Sequence, residues 1–117
     1  MDQTISYLAI PYTWNAKRSF LIANKVAAEL MKEGKVIFSP VSHSHVIADH
    51  LEDLRYDQDF WMKQDLTILS MCDEIIVVVI GENGEKLISE SRGCMSEIEY
   101  AKVLDIPISY YKYSHDS

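Results

Sequence analysis

The sequence predicts an α/β fold with one mostly parallel sheet covered by helices on both faces. Short β-branched runs alternate with segments whose apolar residues recur at helical spacing, the pattern of right-handed β-α-β crossovers. The run 74–80 is an unbroken Ile/Val string, which marks a strand buried on both faces. A chain of 117 residues with 48% hydrophobic residues suffices for one domain and one core, so residues 1–117 are read as a single unit.

The elements follow in order. Residues 4–10 form an apolar strand ending at Pro11. Residues 15–33 carry Phe20, Ala23, Ala27, Leu30 and Met31 on one helical face, with Gly34 just past the helix end. A second strand at 35–38 stops at Ser39-Pro40. Residues 41–56 are polar and His-rich, with one helical turn around 46–51. The helix at 57–72 has Trp61, Ile68, Leu69 and Cys72 on its inward stripe. The strand at 74–80 is followed by a flexible loop at 81–91 containing Asn83-Gly84. A helix at 92–104 with inward Cys94, Ile98, Ala101 and Leu104 leads to a last strand at 106–111.

Two carboxylates break this pattern. Asp65 lies on the apolar stripe of the 57–72 helix, and Glu97 lies on that of the 92–104 helix. A buried charge is costly unless it is paired or hydrogen-bonded. Two such violations point to a cleft holding a carboxylate pair, the equipment for acid/base and nucleophilic work at a sugar carbon. Spacing alone balances this against a surface Glu97 and an Asp65 bonded to a neighbouring loop. Parallel sheets bind ligands at the carboxyl ends of their strands, which selects residues 11–15, 39–45 and 81–93, and so Pro11, Tyr12 and His43 as ligand contacts. Gly93 leaves the first turn beside Glu97 open. Ser91 either only caps that helix or also holds a phosphate or sugar oxygen with the free N–H groups there. Arg92 pairs either an anion or a surface carboxylate such as Glu90 or Glu99. Trp61, Phe60 and Tyr12 are candidates to stack on a base, although aromatics on apolar stripes are more often core. Asp73 serves the helix-to-strand junction.

Composition excludes several classes. A net charge of −7 without a Lys/Arg patch argues against a nucleic-acid polymer as partner. The longest apolar run, 75–80, is too short to span a bilayer, and no signal-peptide pattern opens the chain, so a cytoplasmic location is expected. Cys72 and Cys94 read as reduced core thiols. His43, His45 and His50, with Asp49, raise a metal-dependent hydrolase as a minor alternative, but the spacing matches no recognised metal site. No metal is expected.

Four pieces in order carry a resemblance: Tyr7-Leu8-Ala9-Ile10-Pro11, Val36-Ile37-Phe38-Ser39-Pro40, Gln64-Asp65-Leu66 with Asp73, and Ser91-x-Gly93-x-x-x-Glu97-x-x-x-Ala101. Together they resemble the nucleoside 2-deoxyribosyltransferase superfamily over nearly the whole chain. The Ser39-Pro40…His43-Ser44-His45 and Ser91-Arg92-Gly93…Glu97 signatures look most like an uncharacterised branch of it. The resemblance implies a flavodoxin-like (Rossmann-like) three-layer sandwich with four or five strands in the order 2-1-3-4(-5). It implies Glu97 as the nucleophile at the anomeric carbon, Asp65 as the contact to sugar hydroxyl and leaving base, and Tyr7 as the hydrogen-bond donor to the nucleophile. Ser91 stands where deoxynucleoside 5′-monophosphate N-glycosidases carry Ser and base-exchanging transferases carry Asp. Thr13 stands where the glycosidases place a phosphate-binding Arg, so that role falls to Lys17 or Arg18. A small nucleoside or nucleotide ligand, no cofactor, and a homodimer or higher homo-oligomer complete the expectation. The competing expectation is a nucleotide-binding or sensing module without turnover.

Overall fold

The computed structural model describes residues 4–114. Four parallel strands, β1 (Ile5–Ala9), β2 (Val36–Phe38), β3 (Glu74–Ile80) and β4 (Ile108–Tyr113), lie in the order β2-β1-β3-β4. Five helices connect them: α1 (Ala16–Lys32), α2 (Pro40–Ile47), α3 (Gln58–Leu69), α4 (Gly84–Glu90) and α5 (Arg92–Val103). This is the α/β order expected from the sequence.

Strand side chains alternate between faces, and the core divides accordingly. Leu8, Ile10, Ile76, Val78 and Ile80 pack against Ile22, Ala23, Val26, Ala27 and Leu30 of α1. Tyr7, Ala9, Ile75, Val77 and Val79 pack on the other face against Leu69 of α3, Ile88 of α4, and Cys94, Ile98 and Ala101 of α5. The result is three layers. It also sends Tyr7 from β1 toward α5, which matters below.

The local signals act as their chemistry requires. The Asn15 side chain accepts the Arg18 N–H at 3.1 Å and starts α1. Gly34 follows α1 at φ +99°, a conformation open to glycine. Asp73 Oδ2 accepts the Ile5 N–H at 2.7 Å, tying the α3–β3 junction to the start of β1.

Four expectations need correction. The turn expected at 46–51 is instead α2, beginning at Pro40, with only a 3₁₀ turn at Ala48–His50 behind it. Ser39 and Pro40 both stop β2 and start a helix, because a proline at the first helical position has a preset φ and no N–H to lose. The loop expected at 81–91 contains α4. Met31 and Leu104, read as inward, are 51% and 40% exposed. The last strand runs two residues later than expected, because Asp105 at φ +57° turns the chain after α5.

Gly84 explains why α4 was misread. Its neighbour Asn83 suggested a turn, whereas the glycine is required by close packing. A Cβ there would lie 2.4 Å from Val79 Cγ1 and 2.9 Å from the Val79 carbonyl carbon. Gly84→Ala must displace backbone of the central strand, and is expected to cost about 1–3 kcal/mol. A denaturant melt compared with wild type checks this; an unchanged midpoint contradicts it.

Candidate active site

A cavity of about 350 Å³ opens among β1, α2, the 48–58 segment, α3 and the start of α5. Asp65, Glu97, Ser91, Gly93, Tyr12 and Trp61 line it. Six of the residues singled out in the sequence, drawn from widely separated segments, therefore meet in one place.

Glu97 is 6% exposed. It lies one helical turn beyond Gly93 and Cys94 on α5. The Tyr7 hydroxyl, on a fully buried ring, donates to Glu97 Oε2. Burial pushes the Glu97 carboxyl up to about 8, the Tyr7 hydrogen bond opposes that rise, and the nearby Asp65 charge adds to it. Asp65 is pushed up to about 6, again by burial. Tyr7 stays a neutral donor: burial, then the charges of Glu97 and Asp65, drive its phenol far above its usual range. The Asp65 charge bears on Glu97, so the two carboxyls titrate as a pair. Between about pH 6 and pH 8 this pair holds one proton and one negative charge.

Ser91 is the N-cap of α5, and its Oγ accepts the Cys94 N–H at 3.1 Å. It also lines the cavity, so both readings of Ser91 meet in one residue. Gly93 faces the Met62 methyl of α3, 3.6 Å from where a Cβ would stand. An alanine would fit that contact but narrow the cavity between α3 and α5.

Other expected residues fall elsewhere. His43 is exposed, its ring against Phe38 at 5.5 Å, and does not line the cavity. Once α2 starts at Pro40, His45 takes the inward place instead. Its Nδ1 lies 2.6 Å from the Tyr12 hydroxyl, and its ring stacks on Phe20 at 4.2 Å. Pro11 is buried behind the wall, where its carbonyl accepts from the Ser19 hydroxyl at 2.6 Å and from Trp14 Nε1 at 3.0 Å. Arg92 is exposed on the outside of α5 and makes no ion pair with Glu90 or Glu99. Lys17 and Arg18 are likewise exposed and outside the lining. Phe60 meets Trp61 edge-on at 5.0 Å, away from the lining. Among the described residues, no group of three or more His, Cys, Asp or Glu could hold a metal ion.

Sequence reasoning missed Arg55 and Tyr56, which line the cavity from the irregular segment before α3. No periodicity marks them. The available signal was an arginine-tyrosine pair in a long connection leading into a helix that already carried a suspect carboxylate.

Comparison with known proteins agrees with this architecture. A 2-deoxyribosyltransferase from the psychrotolerant bacterium Bacillus psychrosaccharolyticus, a biocatalyst for nucleoside synthesis, superposes with a TM-score of 0.66. It is 17% identical, with 97% of this chain and 76% of that one covered, and at that identity the likeness is one of fold. No curated protein matches the sequence. Among the described residues, no helix is long and apolar enough to cross a membrane. The family described as Domain of unknown function (DUF1937) matches residues 4–113, nearly the full length, and the chain belongs to that family.

Proposed function

We propose that this protein cleaves the N-glycosidic bond of a (deoxy)nucleoside or its 5′-monophosphate, with Glu97 as nucleophile and Asp65 as acid/base. One observation carries the reading: a buried Glu97 receives the Tyr7 hydroxyl and shares a cavity with a second carboxyl of raised pKa. Groups perturbed in this way inside a cleft are the usual mark of catalytic machinery.

The chemistry follows from the shared proton. It rests on Glu97, the more deeply buried member, before charge develops on a substrate. Positive charge developing at the anomeric carbon favours the Glu97 anion, which the Tyr7 hydroxyl already supports. The proton then belongs on Asp65. The Glu97 carboxylate forms a bond to the anomeric carbon as the carbon–nitrogen bond breaks. That electron pair leaves with the base, which takes its proton from Asp65. In the second step Asp65 removes a proton from water, and the water oxygen displaces Glu97 from the sugar.

Ser91 favours hydrolysis of a 5′-monophosphate. It borders the cavity at the first turn of α5, where free N–H groups suit a phosphate. The fold shared with a 2-deoxyribosyltransferase supports the second reading, in which another base intercepts the sugar in place of water. Assembly with a second copy belongs to the proposal as well: Val46, Ile47 and Leu54 are exposed apolar residues flanking the cavity segments.

The test is a chromatographic assay of base release from 2′-deoxynucleosides, ribonucleosides and their 5′-monophosphates, with and without a free acceptor base. Release without acceptor supports the hydrolase. Release only with acceptor selects the transferase. Ligand binding with no release from any substrate selects a sensing module and contradicts the proposal.

A further inference from the structure

Arg55 is the single Lys or Arg residue among those lining the cavity. Its Nη2 is paired with Asp49 Oδ1 at 2.8 Å, and its guanidinium lies 5.4 Å from the centre of the Tyr56 ring. Trp61 Nε1 donates to the Arg55 carbonyl at 2.9 Å, fixing this corner to α3. Asp65 and Trp61 are four residues apart on α3, about 6 Å along the axis and on the same face. The order along that wall is therefore Asp65, Trp61, Arg55. A sugar held at the carboxylate pair would send its base along Trp61 toward Arg55.

The chemistry of that end selects the ligand group. Pairing with Asp49 leaves the corner with no net positive charge, in a chain of net charge −7. Such a pair is poorly suited to draw in a phosphate. It leaves the guanidinium oriented, with N–H donors to spare, which suits a neutral edge carrying two adjacent acceptors. Among nucleobases that edge is the O6/N7 pair of a 6-oxopurine, the group that an arginine fork fits best. Adenine turns an amino donor toward the same N–H groups.

Resting on the glycosidic reading above, we propose that Arg55, oriented by Asp49, is the residue that selects the base, and that the preferred base is a 6-oxopurine. It goes beyond the carboxylate machinery, since the ion-pair partner of Arg55 is Asp49 and not Glu97 or Asp65.

Calorimetric binding tests the assignment without relying on turnover. The Kd values of the hypoxanthine and adenine 2′-deoxynucleosides, and of their 5′-monophosphates, are measured on the Glu97→Gln protein with and without Arg55→Gln. The hypoxanthine ligands are expected to bind about 10- to 100-fold tighter than the adenine ligands. Arg55→Gln is expected to collapse that ratio to within about 3-fold or to reverse it, because the glutamine amide pairs with the N6/N7 edge of adenine. No preference, a preference that survives Arg55→Gln, or equal weakening of both bases overturns the proposal. So does a loss confined to the 5′-monophosphates, which would make Arg55 a phosphate contact. Failure of the glycosidic reading looks different: base preference would persist while wild type released no base. Absence of binding by every ligand overturns both.

Discussion

Glu97→Gln is expected to lower base release by roughly 10³-fold or more and, at the same time, to stabilise the fold at alkaline pH. Both effects have one cause. The carboxyl titrates near 8 in the folded protein against an ordinary value of 4.5. The folded state therefore holds a proton that the unfolded state releases, and stability falls as pH rises from about 4.5 to about 8. Glutamine keeps the shape, still accepts from Tyr7 and never ionises, so it mimics the protonated form. Melting temperatures of the two proteins should agree at about pH 4, below the ordinary carboxyl value. At pH 9 the variant should melt about 5 °C or more above wild type. A variant that is less stable at both pH values, or one that keeps its activity, contradicts the assignment. A residue retained against stability is what a catalytic carboxylate demands.

The second large effect is on the pH dependence of kcat/KM, expected to be bell-shaped with limbs near pH 6 and pH 8. Below the lower limb both carboxyls are protonated and no nucleophile exists. Above the upper limb both are ionised and no acid remains for the leaving base. The limbs belong to the pair rather than to either residue. Asp65→Asn separates the roles: activity falls by about 10²-fold, the alkaline limb disappears and the acid limb stays. That limb now reports Glu97 alone, so it moves up from near pH 6 to somewhat below pH 8, because the Asp65 charge no longer raises Glu97. A flat profile, or an unchanged bell in Asp65→Asn, contradicts the shared-proton account.

How much of this was legible in the sequence depends on whether a residue breaks a pattern or merely fits one. Asp65 and Glu97 were visible because each interrupts an apolar stripe, and that irregularity has an energetic cost that something must offset. The Ile/Val run 74–80 made a strand buried on both faces legible, whereas the sheet order came with the family resemblance. The segments 39–58 and 81–91 were not. In the first, Ser39-Pro40 carries two meanings, and reading only the strand stop shifted the helix and placed His43 where His45 stands. In the second, Gly84 is required by contact with Val79 across the fold, information absent from its own neighbours. Arg55 was invisible for a related reason. Its place in the cavity depends on Asp49 and Trp61, and neither pairing follows a helical or strand period. Arg92 failed in the opposite way: adjacency to Ser91 and Gly93 suggested a site residue, but the helical rotation of α5 turns it to solvent.

The central claim is that Glu97 bonds to the sugar. Its most direct test is acid-quenched turnover of a substrate identified by the base-release assay, followed by peptide mass spectrometry. The account predicts the mass of one glycosyl group on the peptide containing Glu97, present in wild type and absent from Glu97→Gln. Base release with no such adduct at any quench time, or a sugar carried on another residue, would contradict it.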